Sequence, residues 1–163
     1  MKVFGFPVST CCGATPQSNE YTASWAEFYG KYRLQGVLAA AEKKNGHDSD
    51  LSRLVDTTVS KVVPALLADG HLTSSSGQKI KPVVVHGDLW SGNHGRGSID
   101  GGAIEEVVYD PSSSYAHSEF EFGIMRMFGG FGAGFENEYF KLKEGGKDLP
   151  VEEWEDRVRL YEL

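Results

Sequence analysis

An α+β fold, mostly helical with a few short strands that carry the site, follows from three features of the 163-residue sequence. Two stretches between Ser24 and Gly70 place apolar residues every three or four positions, the period of one helix face. Two β-branched runs, at 82–85 and 104–109, are too short for helices and have the composition of strands. Each run delivers an aspartate, Asp88 or Asp110, to the chain that follows it. The length fits one ordinary domain or part of one, with enough residues to bury a core.

In order along the chain, Val3 to Cys12 is uncharged, β-branched, aromatic and small, which predicts an extended segment or short strand. Its adjacent cysteines, Cys11 and Cys12, would need a strained ring to bond each other and lack the paired spacing of a zinc site, so they read as small buried residues. Thr15-Pro16-Gln17-Ser18-Asn19 marks a turn. Ser24 then reads as the N-cap of a helix carrying Trp25, Phe28, Tyr29, Tyr32 and Val37, with Glu27 completing a capping box and Asn45-Gly46 as the stop.

A second helix is predicted from the stripe Leu51, Leu54, Val55, Thr58, Val62, Leu66 and Leu67, kinked at Pro64 and ended by Gly70. His71 to Lys81 is polar and serine-rich, a surface loop. Pro82-Val83-Val84-Val85 reads as a buried strand and Ile104 to Tyr109 as another, separated by a loop from Ser91 to Gly102 that holds five of the chain's 20 glycines. After a polar turn at 112–114, Glu119 to Phe128 predicts a helix, which Gly129 to Gly134 breaks and Phe135 to Lys143 resumes. The last segment, from Pro150 to Leu163, sets acids in its first turn and Val151, Trp154, Val158 and Tyr161 on one face.

Composition narrows the function. With 40% hydrophobic and 12% aromatic residues the chain can fold, yet no apolar run is long enough to cross a membrane. A formal net charge of −7 argues against nucleic acid as a partner, since phosphate backbones are bound by excess lysine and arginine. The start has neither the apolar stretch nor the cleavage site of a secretory signal, which predicts a cytoplasmic location.

The chemistry concentrates in His86-Gly87-Asp88-Leu89-Trp90-Ser91-Gly92-Asn93, of the form H-x-D-x-x-x-x-N on a loop leaving a strand. That is the spacing of a kinase catalytic loop. Phosphoryl transfer needs a carboxylate to orient an attacking hydroxyl and take its proton, the role that suits Asp88. It also needs oxygen ligands for a magnesium ion, for which Asn93 and the second strand's Asp110 qualify. The two aspartates are expected at neighbouring strand ends, with His86 bonded to backbone and bracing the loop.

These strings resemble one family. F-G-F-P-V-S-T-C-C-G-A-T-P-Q from Phe4, H-G-D-L-W-S-G-N from His86, D-P-S-S-S-Y-A-H-S-E-F-E from Asp110 and M-F-G-G-F from Met127 are similar to the fructosamine-3-kinase and ketosamine-3-kinase pattern. Glycine after His86 is like the aminoglycoside phosphotransferase and choline kinase superfamily rather than protein kinases. The resemblance implies the C-terminal lobe of a protein-kinase-like fold. It also implies phosphorylation by ATP, with Mg2+, of the 3-hydroxyl of a ketosamine (fructosamine or ribulosamine) on a glycated protein or a small amine. The phosphorylated adduct then falls off, a deglycation repair. Asp88 would be the base and Asn93 and Asp110 the metal ligands, with Trp90 offering the sugar a flat apolar face. His117 and Glu119, which follow the metal-binding aspartate in the pattern, would contact the sugar or brace the loop.

Such a kinase also needs a glycine-rich strand turn over the phosphates, a strand lysine and a helix glutamate. Gly130-Phe131-Gly132-Ala133-Gly134 has the wrong spacing and follows a helix, so it reads as a helix break with close packing. Residues 1–163 are therefore expected to be one partial domain, without the N-terminal ATP-clamping lobe and with its last helices cut short, and to be inactive or weakly active. Two other readings stand beside this one: a noncatalytic lobe that binds a ligand or partner, and a metal-dependent hydrolase built on His86, Asp88, His94, Asp110 and His117. Loss of a lobe should expose apolar cleft surface and favour self-association.

Overall fold

Residues 3–163 are described by a computed structural model. β1 (Thr10–Cys12) and β2 (Thr15–Gln17) form an antiparallel hairpin that pairs Cys12 with Thr15. The turn predicted at Thr15 to Asn19 therefore lies earlier, at Gly13, whose φ of +54° favours glycine. Pro16 is accommodated because the ribbon has only two strands, each of them an edge. Cys11 is exposed and Cys12 half-buried, both free thiols, so neither is the buried packing residue expected.

Ser24 caps α1 (Trp25–Phe28), its hydroxyl accepting the Glu27 N–H at 3.5 Å. The helix continues through a π-helical segment (Tyr29–Gln35) into α2 (Gly36–Asn45) and stops at Gly46, where φ is +90°. Asp48 caps α3 (Ser49–Thr57), accepting the N–H groups of Asp50 and Leu51 at 3.0 Å each. This second helix widens into a π-helical segment (Thr58–Val62) just before Pro64 and resumes as α4 (Val63–Leu67), so it ends before Gly70. A wide turn suits a residue that has no N–H to donate and whose ring crowds the preceding turn.

β3 (Val83–Val85) pairs antiparallel with β6 (Ser114–Ala116), and β4 (His94–Ser98) with β5 (Ile104–Val108). The glycine-rich loop expected from Ser91 to Gly102 thus contains a 3-10 turn (Ser91–Asn93) and a strand. Two glycines give β4 little intrinsic strand preference, and its ladder comes from pairing with β5. Likewise the polar serine turn gives way to β6 at Ser114.

A 3-10 turn (Ser118–Phe120) leads into α5 (Glu121–Phe128), which Gly129 ends at a φ of +73°. α6 (Ala133–Leu142) follows, then a 3-10 turn (Val151–Glu153) and α7 (Trp154–Tyr161). Because Val151 sits in the 3-10 turn, it leaves the buried face predicted for it and is exposed, while Trp154, Val158 and Tyr161 remain inside.

Two apolar clusters form the core. One joins Phe4, Trp25, Phe28, Tyr29, Leu67, Val85 and Tyr161. The other joins Phe122, Met125, Trp154 and Val158, with Leu89, Phe131 and Phe140 packed against it. α7 contributes to both, and Leu89 ties the H-x-D loop to the second. No helix among the described residues is long and apolar enough to cross a membrane.

Candidate active site

The H-x-D loop leaves β3 through a backbone shape that one residue type permits. Gly87 has a φ of +79°, and a Cβ there would collide with the carbonyl oxygen of Ser112. His86 Nε2 lies 3.0 Å from the Tyr109 carbonyl, which only accepts. Nε2 therefore carries the proton, and Nδ1 accepts the Asp88 N–H at 3.3 Å. The side chain thus links the start of the loop to the residue before Asp110.

Asn93 is buried and spends both amide hydrogens on Asp88, one on its carbonyl at 2.8 Å and one on Oδ2 at 3.0 Å. Its Oδ1 is then the amide's remaining lone-pair atom. The Asn93 carbonyl in turn accepts the Tyr109 N–H at 3.0 Å, which sets Asp110 against the loop. Asp110 itself holds a φ of +58°, a left-handed conformation uncommon outside glycine.

β3 and β5 lie in different two-stranded sheets, and two bonds at the Tyr109 backbone, one to the His86 ring and one to the Asn93 carbonyl, tie the residue before Asp110 to the loop bearing Asp88. Burial raises the Asp88 carboxyl above its ordinary value; the Asn93 bond and His86 pull it down, and the charge of Asp110 pushes it up. Cys12, across from them on β1, is raised by burial and then by the charges of Asp88 and Asp110, with Arg33 opposing.

Trp90 is half-buried. Its ring lies over Gly92, where a Cβ would strike the indole, and faces Phe128 at a centroid distance of 5.3 Å. Phe128 is 56% exposed, so an open aromatic surface borders the loop. Gly130 passes so close to Ser91 that a Cβ would not fit, and the Ser91 N–H donates to the Gly129 carbonyl at 3.3 Å.

His117 and Glu119 lie elsewhere, in the interior, at 1% and 0% exposure. His117 Nε2 is 2.9 Å from Asp148, and Nδ1 is 2.9 Å from the Tyr161 hydroxyl, which accepts the Trp25 indole N–H at 2.8 Å. Glu119 holds Arg157 through Nε at 2.7 Å and Nη2 at 3.2 Å. Of the two roles expected for this pair, burial leaves no surface for a sugar, and their bonds tie the segment after β6 to α7.

The set His86, Asp88, His94, Asp110 and His117 does not converge on one ion site. Nε2 of His94 pairs with Glu106 at 2.8 Å, and His117 is sealed inside. Among the described residues, the acidic group with ligand atoms within 4.8 Å of one another is His117, Glu119 and Asp148. Arg157 and Lys143, the latter 2.9 Å from Asp148, already supply the positive charge there.

One residue that bonds the loop ends the D-P-S-S-S-Y-A-H-S-E-F-E string but was given no role from the sequence. Glu121, nearly buried, accepts the His86 N–H at 2.6 Å and the Gly87 N–H at 2.9 Å, reaching back 34 residues to the latter. An acid in a helix's first turn reads locally as a partner of the helix dipole.

The fructosamine kinase family model matches residues 1–163. The chain is 37% identical over 160 residues to ketosamine-3-kinase of Mus musculus, covering 98% of this chain and 45% of that protein. It is 36% identical over 160 residues to a chloroplastic protein-ribulosamine 3-kinase of Arabidopsis thaliana, covering 98% of this chain and 44% of that one. The chain thus spans somewhat under half the length of these curated relatives. Its fold is similar to crystal structures of candidate fructosamine-3-kinases from Haemophilus somnus 129PT, with a TM-score of 0.68 at 23% identity, and from Thermobifida fusca YX-ER1, with 0.67 at 25%. Each superposition covers 99% of this chain, and 47% and 50% of the other chains respectively.

Proposed function

Because the chain belongs to the fructosamine kinase family, we propose that its H-x-D loop is the phosphoryl-transfer centre of a ketosamine 3-kinase, set in the C-terminal lobe of a protein-kinase-like fold. The observation that carries this reading is the direct bond from the Asn93 amide to the Asp88 carboxylate, with the Asn93 carbonyl accepting the N–H of Tyr109, the residue before Asp110. Asp88 orients the sugar 3-hydroxyl and takes its proton as the oxygen attacks the γ-phosphorus of ATP, whose bond to the β,γ-bridging oxygen breaks so that ADP leaves. One Asn93 amide hydrogen fixes the Asp88 carboxylate and the other its backbone carbonyl, and the half-exposed Trp90 indole gives the sugar ring an apolar face.

The donors near Asp88 suit magnesium. Asn93 Oδ1 and the Asp110 carboxylate are hard oxygen ligands of the kind magnesium prefers. When bound, Mg2+ neutralises charge on the transferred phosphoryl group. The substrate is a fructosamine or ribulosamine on a glycated protein or small amine, and its 3-phosphate then releases the sugar. Nucleic acid and membranes have no part in this reading, which is cytoplasmic and keeps Cys11 and Cys12 reduced.

The site is tested by NMR with paramagnetic Mn2+ and a fructosamine-lysine ligand. Broadening centred on Asn93 and Asp110, and a ligand-induced shift of the Trp90 indole signal, are expected. Broadening centred elsewhere would remove the assignment.

A second reading concerns the 163 residues by themselves. None of the six strands among the described residues carries a lysine, and we infer that these residues alone transfer little phosphate, because a lysine and a glycine turn on ATP supply much of the catalysis. Steady ketosamine-dependent ATP turnover above an Asp88→Asn control would refute this. Sugar binding that is indifferent to Mg-ATP in calorimetry supports a binding lobe instead. Leu51 and Leu54 stand exposed beside an apolar groove between α2 and α3, which supports self-association; a single monomeric species in sedimentation runs speaks against it.

A further inference from the structure

We propose that the cavity beside Gly87, walled by the β1–β2 hairpin, the π-helical segment (Tyr29–Gln35) and α5, binds a small organic carboxylate with an apolar chain, and that Arg33 answers its charge. Two sources carry that chemistry: the amino-acid half of a ketosamine, which rests on the kinase reading, and a free short-chain acid, which does not. Arg33 and Arg157 are the buried arginines among the described residues, at 4% and 0% exposure. Arg157 has Glu119 as its countercharge, whereas no ion pair among the described residues includes Arg33. Its Nη1 donates to the Ser18 carbonyl at 3.0 Å and its Nη2 to Asn19 Oδ1 at 2.7 Å, both neutral acceptors. The guanidinium carbon lies 4.6 Å from the centre of the Phe28 ring, and Nε is buried with no partner. A buried cation is costly without an opposite charge, and a buried donor left unpaired is uncommon in a folded protein. Burial, opposed by the Cys12 thiol, lowers the guanidinium to about 10, so it is still charged at neutral pH.

Arg33 shares the polar part of the cavity wall with Cys12 and Gln17 of the hairpin. Gln17 Oε1 accepts the Ser112 hydroxyl at 3.2 Å, which leaves its NH2 group as a second donor there. Leu34, Ile124 and Met127 supply apolar wall around a space of about 170 Å³. A cavity of roughly 150 Å³ holds a benzene-sized molecule. A lone cation among apolar walls suits a monoanion with a hydrocarbon tail. A dianion such as a phosphate ester suits it less, because the charges of Asp88 and Asp110 act on the wall at Cys12. After the bonds to Ser18 and Asn19, Nε and one hydrogen on each Nη of Arg33 stay uncommitted. With a small turn of the guanidinium, a carboxylate takes two of these hydrogens side by side, the forked geometry that arginine favours. The π-helical winding that carries Arg33 is itself a rare form, met often at functional sites.

The test is a titration of the isotope-labelled chain followed by NMR at the Arg33 Nε–H and at the Ile124 and Met127 methyl groups. Hexanoate should shift all three signals and saturate, while hexanol, which keeps the chain and lacks the charge, binds about tenfold more weakly. Met127→Glu places a negative charge at an exposed position of the wall and should weaken hexanoate roughly fivefold, with a smaller effect on hexanol. Arg33→Lys, which keeps the charge and loses the fork, should weaken hexanoate as well. Should that variant not fold, Met127→Glu decides. The fructose adducts of β-alanine and of propylamine, alike but for the carboxylate, separate the two sources. A β-alanine adduct that binds more tightly than the propylamine adduct and is displaced by hexanoate assigns the cavity to the amino-acid half of the substrate. Equal binding of the adducts, with hexanoate still bound at Arg33, assigns it to a free acid. Equal affinity for hexanoate and hexanol, hexanoate affinity unchanged in Met127→Glu, or no shift at Arg33 with hexanoate or adduct would overturn the proposal. If the adducts shift the Trp90 indole signal while nothing shifts Arg33, the kinase reading stands and the proposal falls. If hexanoate binds at Arg33 and neither adduct binds anywhere, the cavity assignment stands without that reading.

Discussion

Gly87 shows how much a single position can be asked to do. It turns the chain at a positive φ, brings its backbone against Ser112 and presents its N–H to Glu121. Gly87→Ala should cost about 1–3 kcal/mol for the strained backbone, read as a lower denaturant midpoint, with further displacement of the loop by the Ser112 carbonyl. Arg157 makes the opposite case, a charge tolerated inside because Glu119 and the carbonyls of Asp148 and Pro150 surround it. Arg157→Met strands a buried carboxylate and should cost about 3–5 kcal/mol, whereas Arg157→Met with Glu119→Leu should recover much of the loss in the same denaturation assay. Asp88, Asn93 and Asp110 stood out in the sequence because a reacting group, an amide and a second acid at fixed spacing are a chemical pattern. His117 and Glu119 share that neighbourhood in sequence, yet only burial distinguishes a group that braces from one that meets a ligand.

The elements divide along the same line. Helices were legible because their signals are local: Ser24, Asn45-Gly46 and the stripe from Leu51 to Leu67 each act within a few residues. Asp48→Ala should therefore cost about 1 kcal/mol, measurable by thermal or urea unfolding, since it leaves the Asp50 and Leu51 N–H groups without a cap. β2, β4 and β6 were not legible. β2 contains a proline, β4 two glycines and β6 only Ser-Tyr-Ala after a run of serines, and each becomes a strand because a partner distant in sequence or across a turn completes its ladder. The π-helical widening before Pro64 also escapes a pattern of period 3.6, which registers where a helix is and not how its turns are wound.

Across the whole molecule, the buried polar network ties stability to pH. Burial alone would raise Asp148, but its bond to His117, the charge of that imidazole and the partner Lys143 outweigh burial and hold the carboxyl below its ordinary value. A depressed carboxylate stabilises the fold above its unfolded pKa, and that contribution is lost as pH falls through the folded pKa. Asp88 and Glu121, both raised chiefly by burial, act in the other sense: their contribution is present at low pH and lost as pH rises through the folded values. Urea midpoints taken from neutral pH down to about pH 3 should decline at the acid end, and Asp148→Asn should flatten that decline. An acid limb unchanged by Asp148→Asn would show that other carboxylates govern it.

The sequence by itself determined the α+β class, the helices and the residues able to carry phosphoryl chemistry, because apolar period, caps and motif spacing are local properties of the chain. Tertiary structure alone decided that the loops carrying Asp88 and Asp110 are bonded through Tyr109 across two separate sheets, that His117 and Glu119 face inward, and that Glu121 reaches back to hold the loop. Those outcomes depend on contacts between residues tens of positions apart, and the free energy of such contacts comes from burial and hydrogen-bond satisfaction that exist only once the elements have packed.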